Sequence, residues 1–171
     1  MSPLAIVSLL TAVVPLAAAS QELRFGPRVA LGGGSALTAQ AAIRADVLWQ
    51  RWGFYTAVGV RAATATCALR ASSSCTLPAP PAWELVAGLT GVGQGTPLYF
   101  SVGAGAMRWG GGTDLLLEGD LGLRFPVSLR LKLGVGVHAL VAPGLERPNV
   151  RAVDVHFVEG VVGLSFGVGR S

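Results

Sequence analysis

Residues 114–140 read DLLLEGDLGLRFPVSLRLKLGVGVHAL. Pro126 separates two apolar sets, Leu115, Leu117, Leu121, Leu123 and Phe125 before it and Leu129, Leu131, Leu133, Val135 and Val137 after it. Both are spaced by two. Among them stand Glu118, Asp120, Gly122 and Arg124, then Arg130, Lys132, Gly134, Gly136 and His138. A period of two puts successive side chains on opposite faces of a strand, whereas a helix would scatter these residues around its circumference. The pattern predicts two antiparallel strands joined by a tight turn over residues 125–128, each with one greasy face and one charged or small face. A soluble barrel or sandwich turns its greasy face inward. An outer-membrane barrel turns that face to lipid and fills its lumen with polar and small side chains.

Composition favours the second arrangement. The 171 residues suit one domain. Apolar residues make up 51% and charged ones 13%, with a mean hydropathy of +0.58, against the roughly 25% charged residues usual in soluble domains. An ordinary membrane helix is missing all the same. Residues 85–107 carry no charge, but they hold six glycines, Gln94 and Pro97, and each glycine costs a helix about 1 kcal/mol. The net charge of +4 comes from scattered arginines rather than a basic block, so a nucleic-acid partner is not expected.

Residues 1–20 are uncharged, with an apolar run over 4–16 followed by Ala17, Ala18, Ala19 and Ser20. This is the pattern of a secretory signal peptide cleaved after Ala19 or Ser20, although no Lys or Arg precedes the run. The mature barrel domain is then residues 21–171. Its first strand sets Leu23, Phe25, Val29 and Leu31 outward against Arg24, Gly26, Arg28 and Ala30, before a loop over 33–40. Next, Ile43, Ala45, Val47 and Trp49 oppose Arg44, Asp46 and Leu48. Beyond a turn at 50–53, Phe54, Thr56, Val58 and Val60 oppose Tyr55, Ala57, Gly59 and Arg61. Trp49, Trp52 and Phe54 gather where an interfacial aromatic girdle would lie.

Residues 64–82 form the longest irregular segment and contain Cys67 and Cys75. In an exported chain the two cysteines are expected to form a disulfide worth about 2–3 kcal/mol. Trp83, Leu85, Ala87 and Leu89 then oppose Glu84, Val86, Gly88 and Thr90. After a turn at 93–97, Leu98, Phe100, Val102 and Ala104 oppose Tyr99, Ser101, Gly103 and Gly105. A loop over 108–113 leads into the hairpin quoted first, and a polar loop over 141–154 leads out of it. The last strand sets Val158, Val162, Leu164, Phe166 and Val168 against Glu159, Val161, Gly163, Ser165 and Gly167.

Eight alternating segments, an export signal, and long connections alternating with tight turns together resemble the small eight-stranded outer-membrane β-barrel proteins of Gram-negative bacteria, the group that includes the OmpA barrel, OmpX and OmpW. The resemblance spans residues 22–171 and rests on pattern. Members commonly end on an aromatic residue, whereas here Phe166 is followed by five further residues. The resemblance implies an all-β, eight-stranded antiparallel up-and-down transmembrane barrel. It also implies an outer-membrane location, surrounding lipid and the barrel assembly machinery as partners, and a monomer.

On such a barrel the inward positions hold Arg44, Asp46, Arg61, Glu84, Glu118, Asp120, Arg124, Arg130, Lys132 and Glu159. An Arg or Lys facing lipid at the midplane costs roughly 2–4 kcal/mol, so these charges must face one another. Eight strands leave an interior that side chains just fill. The expectation is a charged, largely closed lumen with a structural or surface-interaction role presented by segments 64–82 and 141–154. A narrow channel for small solutes or ions is the alternative. A soluble periplasmic lipocalin-like barrel with its leucine rows inside is the third possibility.

No enzyme, cofactor or metal site is expected. The run from Gly163 to Gly167 matches G-x-S-x-G, but that motif needs a strand-to-helix elbow and a histidine later in the chain, and only four residues follow. Some eight-stranded barrels are lipid-modifying enzymes with a His, Ser and Glu on the outer surface. Here no serine stands two positions after His138, and His156 and Glu159 fall on opposite strand faces.

Overall fold

Alternation at a period of two dominates the strands of the computed structural model, which describes residues 21–34, 37–64, 81–109, 112–147 and 150–168. The strands are β1 (Gln21–Gly34), β2 (Leu37–Trp49), β3 (Trp52–Thr64), β4 (Ala82–Val92), β5 (Leu98–Trp109), β6 (Gly112–Pro126), β7 (Leu131–Arg147) and β8 (Val150–Val168). Each pairs antiparallel with its sequence neighbours, and β1 pairs with β8. The result is a closed eight-stranded up-and-down barrel, which leaves no free sheet edge along its girth.

Its polarity is inverted relative to a soluble protein. Ile43, Val102 and Leu121 point outward and are 62%, 58% and 58% exposed, as are the other leucine and valine rows. Arg61, Glu159 and Asp46 point inward and are only 1–2% exposed. The lipocalin-like arrangement requires the reverse and is overturned by these directions. The uncharged run 85–107 is not a helix but most of the β4–β5 hairpin, with Gly88 opposite Gly103 and Val86 opposite Gly105.

Several boundaries differ from those the sequence predicts. The loop expected over 33–40 is largely strand, with Gly32 paired to Thr38 and the connection reduced to residues 35–36. Small residues resemble a loop, but here Thr38 and Gln40 continue the inward face. Likewise Trp109 pairs with Gly112, so the loop over 108–113 shrinks to 110–111.

The segment 141–154 is the largest correction. It is a β7–β8 ribbon that continues past the last β6–β7 pair, Leu117 with Val141, to the pair Arg147 with Val150. Register shifts between Ala142, Leu145 and Arg147 break the alternation, and Pro143 lies within them. Such bulges erase the period-two signal while preserving the ribbon. Residues 1–20 and both cysteines, with the signal peptide and disulfide expected there, lie outside the described residues.

Candidate functional site

The chemistry of this molecule is concentrated inside the barrel, where parity delivers charged side chains from all eight strands except β5, which supplies Tyr99 and Ser101. Six cations and six carboxylates are joined there by ion pairs. They form three tiers along the axis.

Asp120 is the hub of the middle tier. Its Oδ2 accepts from Arg28 Nη1 at 3.0 Å, Arg44 Nη1 at 2.7 Å and Ser101 Oγ at 2.8 Å, and its Oδ1 lies 2.9 Å from His138 Nδ1. Register explains the grouping, because Asp120 pairs with Ser101 on β5 and with His138 on β7. Glu118, one inward step away, accepts from Tyr55 Oη at 2.9 Å and Arg28 Nη2 at 3.3 Å, and lies 3.6 Å from His138 Nε2. Arg44 also donates to Asp46 at 2.8 Å and stacks over Tyr55, 4.0 Å from the ring centroid. Arg124 donates to Asp46 at 3.2 Å and lies over Tyr99 at 4.5 Å. Burial would make each isolated charge costly, so the network is stable only when both partners of each pair are present.

The tier farthest from the tight turns centres on Arg61, which donates to Glu84 and to Glu159. Gln40 donates to Glu84 and Thr38 to Glu159. Around them pack Phe157, Met107, Leu116 and Leu140, all at most 1% exposed. The tier nearest the turns is the loosest. Glu22 bridges Arg24 and Lys132, and the Glu22 and Lys132 side chains remain 35% and 30% exposed.

Of the ten charges expected to face inward, nine do, and Arg130 does not. Pro126 ends β6, and residues 127–130 form the turn, in which Ser128 Oγ accepts from the Leu131 amide at 3.1 Å. Arg130 is therefore exposed in that turn beside Leu129: the alternation of the sequence continues through residues 127–130, but strand pairing stops at Pro126 and resumes at Leu131. Arg24, Glu22 and His138 share the interior with the nine, and so does Arg28. Parity marks Arg24, Arg28 and His138, while Glu22 precedes the first apolar position that sets the phase. The apolar group around Phe157 is the other feature missing from the expected lumen, although Leu116 and Leu140 have the parity of Glu118 and His138.

Ser165 of the G-x-S-x-G match sits mid-strand opposite Lys132, with no elbow. Glu159 is buried and His156 exposed, on opposite faces. Among the described residues, no group of three or more His, Cys, Asp or Glu side chains is disposed to hold a metal.

A closed eight-stranded antiparallel barrel with a greasy exterior and an ionic interior is the architecture of the small outer-membrane β-barrels. Neisserial surface protein A shares this fold. The two superpose with a TM-score of 0.53 at 15% identity, over 86% of this chain and 97% of that one. Outer membrane protein AlkL, determined in lipid bilayers, gives 0.47 at 12% identity over 88% and 90%. Ail, the attachment invasion locus protein of Yersinia pestis, determined with the heparin analogue sucrose octasulfate, gives 0.44 at 10% identity over 86% and 97%. No protein-family model and no curated protein matches the sequence.

Proposed function

We propose that this chain is a monomeric outer-membrane barrel whose interior is a structural plug, and whose contribution is to the envelope and to contacts made at its outer mouth. The observation that carries this reading is the inversion of polarity, with leucine and valine rows outside and Arg61, Asp120 and Glu159 inside. Water would not tolerate that exterior as a monomer's surface, and lipid would not tolerate that interior facing outward. Outward aromatics near the turns, including Trp52, Phe54 and Phe100, fit an interfacial girdle. Residues 1–20 serve as the export signal, the barrel assembly machinery inserts the chain, and a Cys67–Cys75 bridge ties the segment between β3 and β4. That segment and the β7–β8 ribbon form the contact surface on the far side from the tight turns.

Two measurements test this. Fractionation of an expressing Gram-negative cell should recover the protein with outer-membrane lipid, and recovery in the soluble periplasm overturns the reading. In planar bilayers the purified barrel should show no steady conductance. A reproducible single-channel step would replace the plug with the narrow-channel alternative.

A further inference from the structure

His138 is fully buried in the lumen, and both of its ring nitrogens face carboxylates. Nδ1 lies 2.9 Å from Asp120 Oδ1 and Nε2 lies 3.6 Å from Glu118 Oε2, both within ion-pair range. Neither nitrogen accepts a hydrogen bond, and Asp120 Oδ1 accepts none either. The other oxygen of Asp120 already takes Arg28, Arg44 and Ser101, which leaves His138 as the group set against Oδ1. A neutral imidazole carries one N–H and one lone pair. Either neutral tautomer would therefore turn a buried lone pair toward a carboxylate oxygen, and an imidazolium removes that conflict at both ends of the ring.

Charge points the same way. Among the described residues the arginine and lysine ion pairs of the lumen fall into three separate sets. Arg28, Arg44 and Arg124 balance Asp46, Glu118 and Asp120. Arg61 alone faces Glu84 and Glu159, one negative charge too many. Arg24 and Lys132 share Glu22 at the turn-side mouth, where Glu22 and Lys132 are about one-third exposed and water screens the surplus. The first two sets together hold four guanidiniums against five carboxylates, none of those carboxylates more than 4% exposed. His138 stands where the missing positive charge is needed, in register with Asp120 on one side and with Glu159 on the other.

We infer that the lumen has a binding site for one proton at His138, which is held as an imidazolium between Glu118 and Asp120 and completes the charge balance of the plug. The groups around it are all accounted for. Arg28 of β1 and Arg44 of β2 bind its carboxylates, Tyr55 of β3 donates to Glu118, and Tyr99 of β5 lies near Asp120. The rival seat for the proton is Glu84 or Glu159. It is the weaker one, because Arg61, Gln40 and Thr38 all donate to those carboxylates and favour their charged forms. An imidazole also takes a proton about two pH units more readily than a carboxyl group. The inference rests on the plug reading and adds to it that the plug is keyed by pH.

The test is nuclear magnetic resonance of the whole barrel in detergent, with nitrogen-15 in its histidines. His156→Gln, at an exposed position, leaves His138 as the one signal, so assignment needs no change in the lumen. At pH 8 an ordinary histidine is protonated in only about 3% of molecules, yet His138 should show two ring N–H protons and the nitrogen shifts of an imidazolium. A single ring N–H at that pH overturns the inference, as does a protonated Glu84 or Glu159 in the carboxyl carbon-13 spectrum. Stability gives a second reading. The native state holds a proton that the unfolded chain releases above about pH 6.5, so the stabilisation is complete below that pH and is lost as the pH rises. The ratio of folding constants of the unsubstituted protein to His138→Gln should thus fall by up to tenfold per pH unit above pH 7, and a ratio independent of pH overturns the inference. Conductance and fractionation test the plug reading separately, so the two can fail independently.

Discussion

Asp120 is where one atom changes most. Its carboxylate neutralises Arg28 and Arg44 and accepts from Ser101, so Asp120→Asn leaves two buried guanidiniums short of charge. Breaking a buried pair from one side costs about 3–5 kcal/mol, and urea unfolding from lipid vesicles should show a loss of that order. Gly103 is a second sensitive position. A Cβ there would lie 2.2 Å from Tyr55 Oη and 2.8 Å from the Ala87 carbonyl. Gly103→Val should therefore displace Tyr55 from Glu118 and destabilise by about 1–3 kcal/mol through overpacking. Gly119→Ala, whose Cβ would meet only the Ser101 carbonyl at 3.6 Å, should be close to neutral in the same assay.

At the scale of the strand, the sequence carries phase more faithfully than length. Leu121 and Leu123 predict their own directions, and so do Glu118 and Asp120, because a one-residue slip would turn every lumen charge to lipid. Ends are less legible. The β7–β8 ribbon hides behind Pro143 and two register shifts, and Leu129 and Arg130 imitate a strand they do not join. The difference is measurable. Leu121→Arg places a charge on the outer wall and should cost about 2–4 kcal/mol. Leu129→Arg, at a fully exposed turn position, should change stability by about 0.5 kcal/mol or less. Equal losses in urea unfolding would show that residue 129 belongs to the strand after all.

For the molecule as a whole, the ionic interior was legible because charged residues recur at inward parity in a chain with few charges. The apolar packing at one end was not. Met107, Leu116, Leu140 and Phe157 look like ordinary barrel-wall residues until closure brings four strands together. That packing makes the barrel asymmetric, and it yields a conductance prediction. The unsubstituted protein should be silent in a bilayer, whereas the combination of Arg61→Ala, Met107→Ala and Phe157→Ala should produce measurable current, with circular dichroism confirming retained strand content. Continued silence in a folded triple variant would move the barrier toward the hub.

Six positive and six negative groups cancel within the lumen, which leaves seven of the thirteen basic residues and three of the nine acidic ones outside those pairs. The surplus of +4 therefore belongs to the remaining ten residues and not to the core. Arg51 and Arg130 are exposed in two of the three tight turns, and none of those turns contains an acid. The turn-side rim thus carries two exposed cations that no acid of the same turns offsets.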